Sequence, residues 1–330
     1  MTWQGKRVLV TGADGFIGSH LVETLVRAGA EVRAFCLYNS SGSLGWLDES
    51  DRQVRESFDA RLGDIRDARF VELACEGIEV VFHLAALIAI PYSYQAPESF
   101  VDTNVRGTLN VLEAVNRKGS ERLVHTSTSE VYGTPDTVPI TEDHRLRGQS
   151  PYSATKIAAD MLVDSYHRSF GVPTVTLRPF NTYGPRQSTR AVIPTILAQL
   201  SHGLTTLRLG NLAPRRDFTF VSDTVAGFMA AGIASDLEGE TIQLGTGRAE
   251  SIGDVVDQAA RIFGVKARVL TEDQRVRPMN SEVMILQSDP SKAHRLLDWS
   301  AVVSLEVGLE RTASWIREHL HLFDTKTYSV

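Results

Sequence analysis

The sequence predicts an α/β protein, a doubly wound parallel sheet over residues 1–180 followed by a smaller α/β lobe over residues 181–330. Three observations carry that expectation. Short runs of β-branched and apolar residues alternate with helix-patterned stretches, the pattern of parallel strands covered by helices on both faces. A glycine-rich turn separates the first such strand from the first helix. From about Asn181 the alternation gives way to shorter helices and loops containing Pro and Arg.

Val8-Leu-Val10 reads as the first strand, Thr11-Gly-Ala-Asp-Gly-Phe-Ile-Gly18 as the turn, and Ser19 to Arg27 as the helix. In such a unit Gly12 permits the tight turn, Gly15 lets the backbone approach a pyrophosphate, and Gly18 lets the helix pack close to the strand. Phe16 and Ile17 lie where free N–H groups of the helix start face the phosphate charge. The second strand, Glu31-Val-Arg-Ala-Phe-Cys36, would end in an acidic residue if it gripped the adenosine ribose of NAD in the usual way. Cys36-Leu-Tyr-Asn39 stands there instead, with no carboxylate and no arginine pair for a 2′-phosphate. Arg33 could reach either way, so the reading leans to NAD and leaves NADP open.

A polar loop at Asn39–Gly45 precedes a third strand, Ala60-Arg-Leu-Gly-Asp64, where Asp64 and Ile65 would meet the adenine. Glu79-Val-Val-Phe-His-Leu-Ala-Ala86 reads as a buried strand whose end, Leu84, Ala85 and Ala86, lets a flat cofactor pass close to the backbone. Helical text runs from Phe100 to Val115 and includes Asn104. Arg122–Thr128 is the next strand, Tyr152 opens a helix reaching about His167, and Val172–Arg178 is a sixth strand.

A net charge of −6 offers no broad basic surface, so nucleic acid is not an expected partner. With 42% hydrophobic and 22% charged residues the chain can bury a sizeable core. No run approaches the roughly 18 apolar residues of a membrane span, and no cleavable apolar leader is visible. Cys36 and Cys75 read as small buried reduced side chains, no metal site is visible, and the expected setting is cytoplasmic. His83 and His125 each lie in an apolar strand and read as core histidines.

Tyr152-Ser-Ala-Thr-Lys156 carries the chemistry. A spacing of four puts Lys156 on the same helix face as Tyr152. Tyrosine titrates near 10, but a nearby ammonium and a positive nicotinamide ring favour the phenolate, which can then accept a proton from a sugar hydroxyl while hydride leaves the same carbon.

On these residues, together with His83-Leu-Ala-Ala86, Asn104-Val-Arg-Gly-Thr108, Thr126-Ser-Thr-Ser-Glu-Val-Tyr-Gly133, Arg178-Pro-Phe-Asn-Thr-Tyr-Gly-Pro-Arg186 and Arg216-Asp-Phe-Thr-Phe220, the chain resembles the extended short-chain dehydrogenase/reductases that act as nucleotide-sugar epimerases and dehydratases. The resemblance covers nearly the whole length. It implies a Rossmann-like domain binding NAD(P), a C-terminal lobe binding a nucleoside-diphosphate sugar, and a homodimer built on paired helices. It implies Thr128 beside the sugar 4-hydroxyl, Tyr152 as base, Lys156 and Tyr152 on the cofactor, and Asn181, Arg190, Arg216 and Arg277 as substrate contacts, the arginines suited to anions.

Oxidation at C4 is shared by several reactions, and Ser129-Glu130 bears on which one follows. A 4-ketone acidifies the C5 hydrogen, and Glu130 could remove it while the C6 hydroxyl leaves as water. Glucose-type 4,6-dehydratases often have Asp-Glu here, so Ser129, a water or Glu130 itself would serve as the acid. The motif text most resembles retaining UDP-N-acetylglucosamine 4,6-dehydratases of the legionaminic-acid pathway type, with a 4-epimerase or a UDP-glucuronate decarboxylase as the alternatives.

Overall fold

The computed structural model describes residues 2–323. Seven parallel strands form one sheet: β1 (Arg7–Thr11), β2 (Glu31–Leu37), β3 (Phe58–Gly63), β4 (Val80–His83), β5 (Arg122–Thr126), β6 (Thr174–Pro179) and β7 (Thr241–Leu244). Their spatial order is β3-β2-β1-β4-β5-β6-β7. The order reverses between β1 and β4, and ligands of such sheets bind in the crevice beyond the strand ends at that point.

Each central strand is apolar on both sides, as burial between two helical layers demands. Val8 and Val10 enter one core with Val80, Phe82 and Val124, while Leu9, Val81 and Leu123 enter the other. Helices α1 (Phe16–Arg27) and α5 (Val221–Ile233) pack together on the first face. On the second lie α2 (Ala68–Ala74), α3 (Gly107–Lys118) and α4 (Pro151–Phe170).

The strand read as reaching Thr128 leaves the sheet after Thr126, and Thr128 instead caps a 3-10 turn over Ser129–Tyr132. The helical text from Phe100 is interrupted by a π-helical turn at Val101–Arg106, a feature frequent near functional sites. Helix α4 starts cleanly because Ser150 and Ser153 form a capping box around Pro151, and it stops at Gly171, whose φ is 68°.

Beyond β6 the chain builds short sheets. Asn181–Tyr183 pairs with Phe218–Phe220, Arg215–Arg216 pairs with Glu250–Ser251 and Ile285–Leu286, and Thr206–Leu209 pairs with Arg268–Thr271. Between them α5 and β7 return to the main sheet, β7 extending it beside β6. Among the described residues no helix is long and apolar enough to cross a membrane.

Candidate active site

The glycine turn closes on itself so tightly that side chains are excluded. Gly12 has φ +68°, and a Cβ there would fall 2.8 Å from the Ala85 nitrogen; one on Gly18 would fall 2.1 Å from the Gly12 carbonyl oxygen. Gly15 caps α1 with no side-chain hydrogen bond, and Phe16 and Ile17 begin its first turn half-buried. Backbone can therefore approach a phosphate here, and the N–H groups of the helix start are aimed outward to meet it.

The opposite wall is the segment after β4. Leu84 and Ala85 each donate a backbone hydrogen bond of 3.1 Å to the Thr11 hydroxyl, and half-buried Ala86 continues the wall. Asn104, 1% exposed, accepts from Leu87 N–H and donates to the Leu87 oxygen and the Thr155 hydroxyl. Its amide hydrogens are thus spent on protein, and it shapes the site through the strand-end segment. At the far edge Asp64 is clasped by Arg66, which holds its carboxyl below the usual range, and buried Ile65 packs over Gly107. This cradle, narrow and without side chains at Gly12 and Gly18, fits a dinucleotide.

Arg33 is turned away from that cradle. It bonds Asp59 at 3.0 Å and the carbonyls of Ala74 and Glu76, so the idea that it could reach the ribose fails because its donors are held at the outer edge of the sheet.

Across the switch point stand the reacting groups. Tyr152, 7% exposed, meets Phe100 edge-on with ring centroids 6.3 Å apart. Burial raises its pKa; a hydrogen bond with Thr128 works the other way, and the charges of Glu130 and Asp160 add to the rise. Lys156 is also buried, and its Nζ donates at 2.6 Å to the Thr126 carbonyl at the end of β5. Thr128, not Lys156, is therefore the group that lowers the phenol's pKa, and the ammonium lies one turn along. Ser129 is buried and Glu130 half-buried on the turn that Thr128 caps.

Beneath Lys156 lies a buried polar network that spacing alone did not reveal. Asp160 accepts from Ser127, from Arg178 at 3.0 Å, and pairs with His125. Arg178 and Gln243 both donate to the Tyr132 hydroxyl. His83 bridges Thr11 and Thr108, and burial depresses both histidines, leaving them as core residues.

Burial lowers the Lys156 pKa to about 8, with Asp160 opposing the fall. The unfolded chain keeps this proton up to 10.5, so between these values the unfolded state binds more protons and stability rises with pH. The lowering corresponds to roughly 3 kcal/mol held against the folded state at neutral pH. Lys156→Met is expected to melt above the parent at pH 7, the gap closing as pH passes from about 8 towards 10.5. A calorimetric pH series checks this, and equal melting temperatures at pH 7 would contradict it.

The third group is cationic. Arg216, 5% exposed, donates to Glu282 at 3.3 Å. Arg277 lies 3.7 Å from Glu130 and 3.9 Å from Glu282, and its buried Nη1 makes no hydrogen bond. The Asn181 side-chain oxygen is likewise buried and unpartnered. Burial pulls the Arg216 pKa down, Glu130 and Glu282 pull it up, and Arg277 pulls it down. Glu130, Arg216, Arg277 and Glu282 are thus one electrostatic quartet, whereas Arg190 stands on an exposed loop. Asp217 fixes this side by accepting from Thr246, Gly247 and Ser288. The sequence reading missed Glu282, whose only signal is its place five residues after Arg277.

This arrangement defines an extended short-chain dehydrogenase/reductase of the nucleotide-sugar type. A family model described as GDP-mannose 4,6 dehydratase matches residues 9–312, and the chain belongs to that family. It is 33% identical to a UDP-glucose 4-epimerase of Mycolicibacterium smegmatis over 94% of this chain and 98% of that one. It superposes with TM-score 0.87 on a UDP-glucuronic acid 4-epimerase mutant from Bacillus cereus, solved with UDP-4-deoxy-4-fluoro-glucuronic acid and NAD (30% identity, 95% and 99% of the two chains). With TM-score 0.86 it superposes on DesIV, a dTDP-glucose 4,6-dehydratase from Streptomyces venezuelae with NAD and TYD bound (30% identity, 96% and 99%). The chain spans about half the length of the trifunctional UDP-glucose 4,6-dehydratases of Arabidopsis thaliana that it also matches.

Proposed function

We propose that this protein is an NAD-dependent nucleotide-sugar 4,6-dehydratase whose substrate is UDP-N-acetylglucosamine, working in the cytoplasm as a homodimer. The carrying observation is the carboxylate of Glu130 on the very turn that Thr128 caps, across from the Tyr152 phenol. Exposed Val101, Met161 and Phe170 on adjacent helices support the pairing of two copies.

NAD, which the glycine turn around Gly12, Gly15 and Gly18 would hold, would supply a hydride acceptor at C4, positive charge near the phenol and a hydride source for C6. Tyr152 takes the O4 proton, and Thr128 orients both that hydroxyl and the phenol. Lys156, seated on the Thr126 carbonyl, would hold the nicotinamide ribose. Glu130 removes the C5 proton and the C6 hydroxyl leaves as water, with Ser129 or Glu130 delivering the proton; C5 takes a proton back when hydride reaches C6, and the proton drawn from O4 by Tyr152 closes the balance. Arg216 and Arg277, with Asn181 and Arg190, take the diphosphate, for which the Arg277 guanidinium, whose buried Nη1 makes no hydrogen bond, is well suited.

A 4-epimerase is the second reading. Arg277 faces Glu130, and a glutamate engaged by arginine is less free to act as a base. Incubating the protein with UDP-N-acetylglucosamine and catalytic NAD separates the readings by mass spectrometry. A product lighter by one water supports the dehydratase. An isomer of constant mass supports the epimerase, and loss of carbon dioxide from UDP-glucuronate would make it a decarboxylase.

A further inference from the structure

The end of β2 poses a problem for any dinucleotide reading, because no side chain there accepts from the adenosine ribose. Leu37 and Tyr38 are exposed and apolar or aromatic. Asn39 spends its amide within its own loop, donating to the Leu37 and Ser43 carbonyls and accepting from Ser41 and Ser43. Arg33 is bound at the sheet's outer edge.

The glycine turn fills the gap. Thr11 pairs with Phe35, and Ala13 N–H bonds the Phe35 carbonyl at 3.2 Å, so the next residue, Asp14, comes abreast of Cys36 and Leu37. The Leu37 backbone amide faces the Asp14 carboxylate and stabilises its charge. The loop after β2 clamps the residue from outside: Trp46 N–H bonds the Asp14 carbonyl at 3.1 Å, and a Cβ on Gly45 would fall 2.9 Å from the Asp14 Cβ. Asp14 and Asp48 both act electrostatically on the Cys36 thiol at this strand end. Asp14 is half-buried, and that burial raises its pKa against the backbone amides of Asp14 and Leu37, two donors that leave lone pairs of the carboxylate open.

We propose that Asp14 receives the hydroxyls of the adenosine ribose and sets a preference for NAD over NADP. A vicinal diol offers two O–H donors, which a carboxylate with free lone pairs accepts. A 2′-phosphate would bring about −1.5 to −2 of charge against the same carboxylate, with the neighbouring Asp48 adding to the repulsion. The carboxylate thus comes from the turn rather than from the strand end.

This rests on the NAD reading above, and calorimetric titration with NAD+ and NADP+ separates the two. Parent protein that binds neither dinucleotide overturns the NAD reading itself. Given NAD+ binding, Asp14→Asn keeps the shape of the side chain and removes its charge. The expected result is a ratio of NADP+ to NAD+ dissociation constants that falls about tenfold or more, through weaker NAD+ binding, tighter NADP+ binding or both. An unchanged ratio, including equal weakening of both ligands as from a damaged turn, overturns the proposal.

Discussion

Tyr152→Phe is expected to lower turnover by about 10³-fold, the middle of the range for a lost general base, while leaving the fold in place. Phe keeps the edge-on contact with Phe100 and the burial of the ring, and loses the hydroxyl whose pKa Thr128 lowers. Binding of UDP, measured by titration, should change little, since the arginines proposed to receive it, Arg216 and Arg277, are paired with Glu282 and Glu130 rather than with the phenol. The pH dependence sharpens the test. Burial and the charges of Glu130 and Asp160 hold the phenol above its ordinary pKa, so the deprotonated fraction, and with it the parent's rate, rises with pH. The variant's residual rate should lose that dependence. A variant within a few fold of the parent would remove Tyr152 from the reaction.

Sequence pattern exposed most of the sheet because its strands are buried on both faces, so Val8-Leu-Val10 and Val80-Val-Phe82 are continuous apolar runs. The turn was equally legible, since only glycine meets a 2.1 Å approach to the Gly12 carbonyl oxygen. The strand β7 was not. Its Gln243 is fully buried yet polar, its Nε2 donating to the Tyr132 hydroxyl and its backbone N–H to Glu142 while its Oε1 has no partner; those two groups lie a hundred residues or more away in the chain. The exit of the chain at Thr126 was hidden for a related reason. Thr128 has strand-like backbone angles, and what ends β5 is the cap it makes on Glu130 N–H. Spacing correctly put Tyr152 and Lys156 on one helix face, but which group touches the phenol depended on β5. The Thr126 carbonyl takes the ammonium at 2.6 Å, and it is Thr128 whose side chain lowers the phenol's pKa. Asp14 lay inside a motif read for its glycines, and only the β1–β2 register brings its carboxylate to the strand end.

Glu130→Gln is expected to divide the reaction at its middle. Gln preserves the size of the side chain and its place beside Thr128, but cannot accept the C5 proton, so elimination should fall by about 10²-fold or more. Oxidation at C4, here proposed for Tyr152, Thr128 and Lys156, should persist. The variant should therefore still exchange hydrogen at C4 between a labelled sugar nucleotide and the cofactor, while forming little of the dehydrated product. Removing the negative charge near Tyr152 also removes one of the influences that raise the phenol's pKa, so C4 oxidation should reach its plateau at lower pH than in the parent. Arg277, 3.7 Å from the carboxylate, loses its charge partner, and Glu282 at 3.9 Å remains to hold it. Binding of UDP should thus be kept or strengthened, since two guanidiniums then share one fewer carboxylate. Normal dehydration by the variant would take Glu130 out of the chemistry. Loss of exchange and dehydration together would instead make it part of the oxidation step, which the epimerase reading requires of no residue at this position.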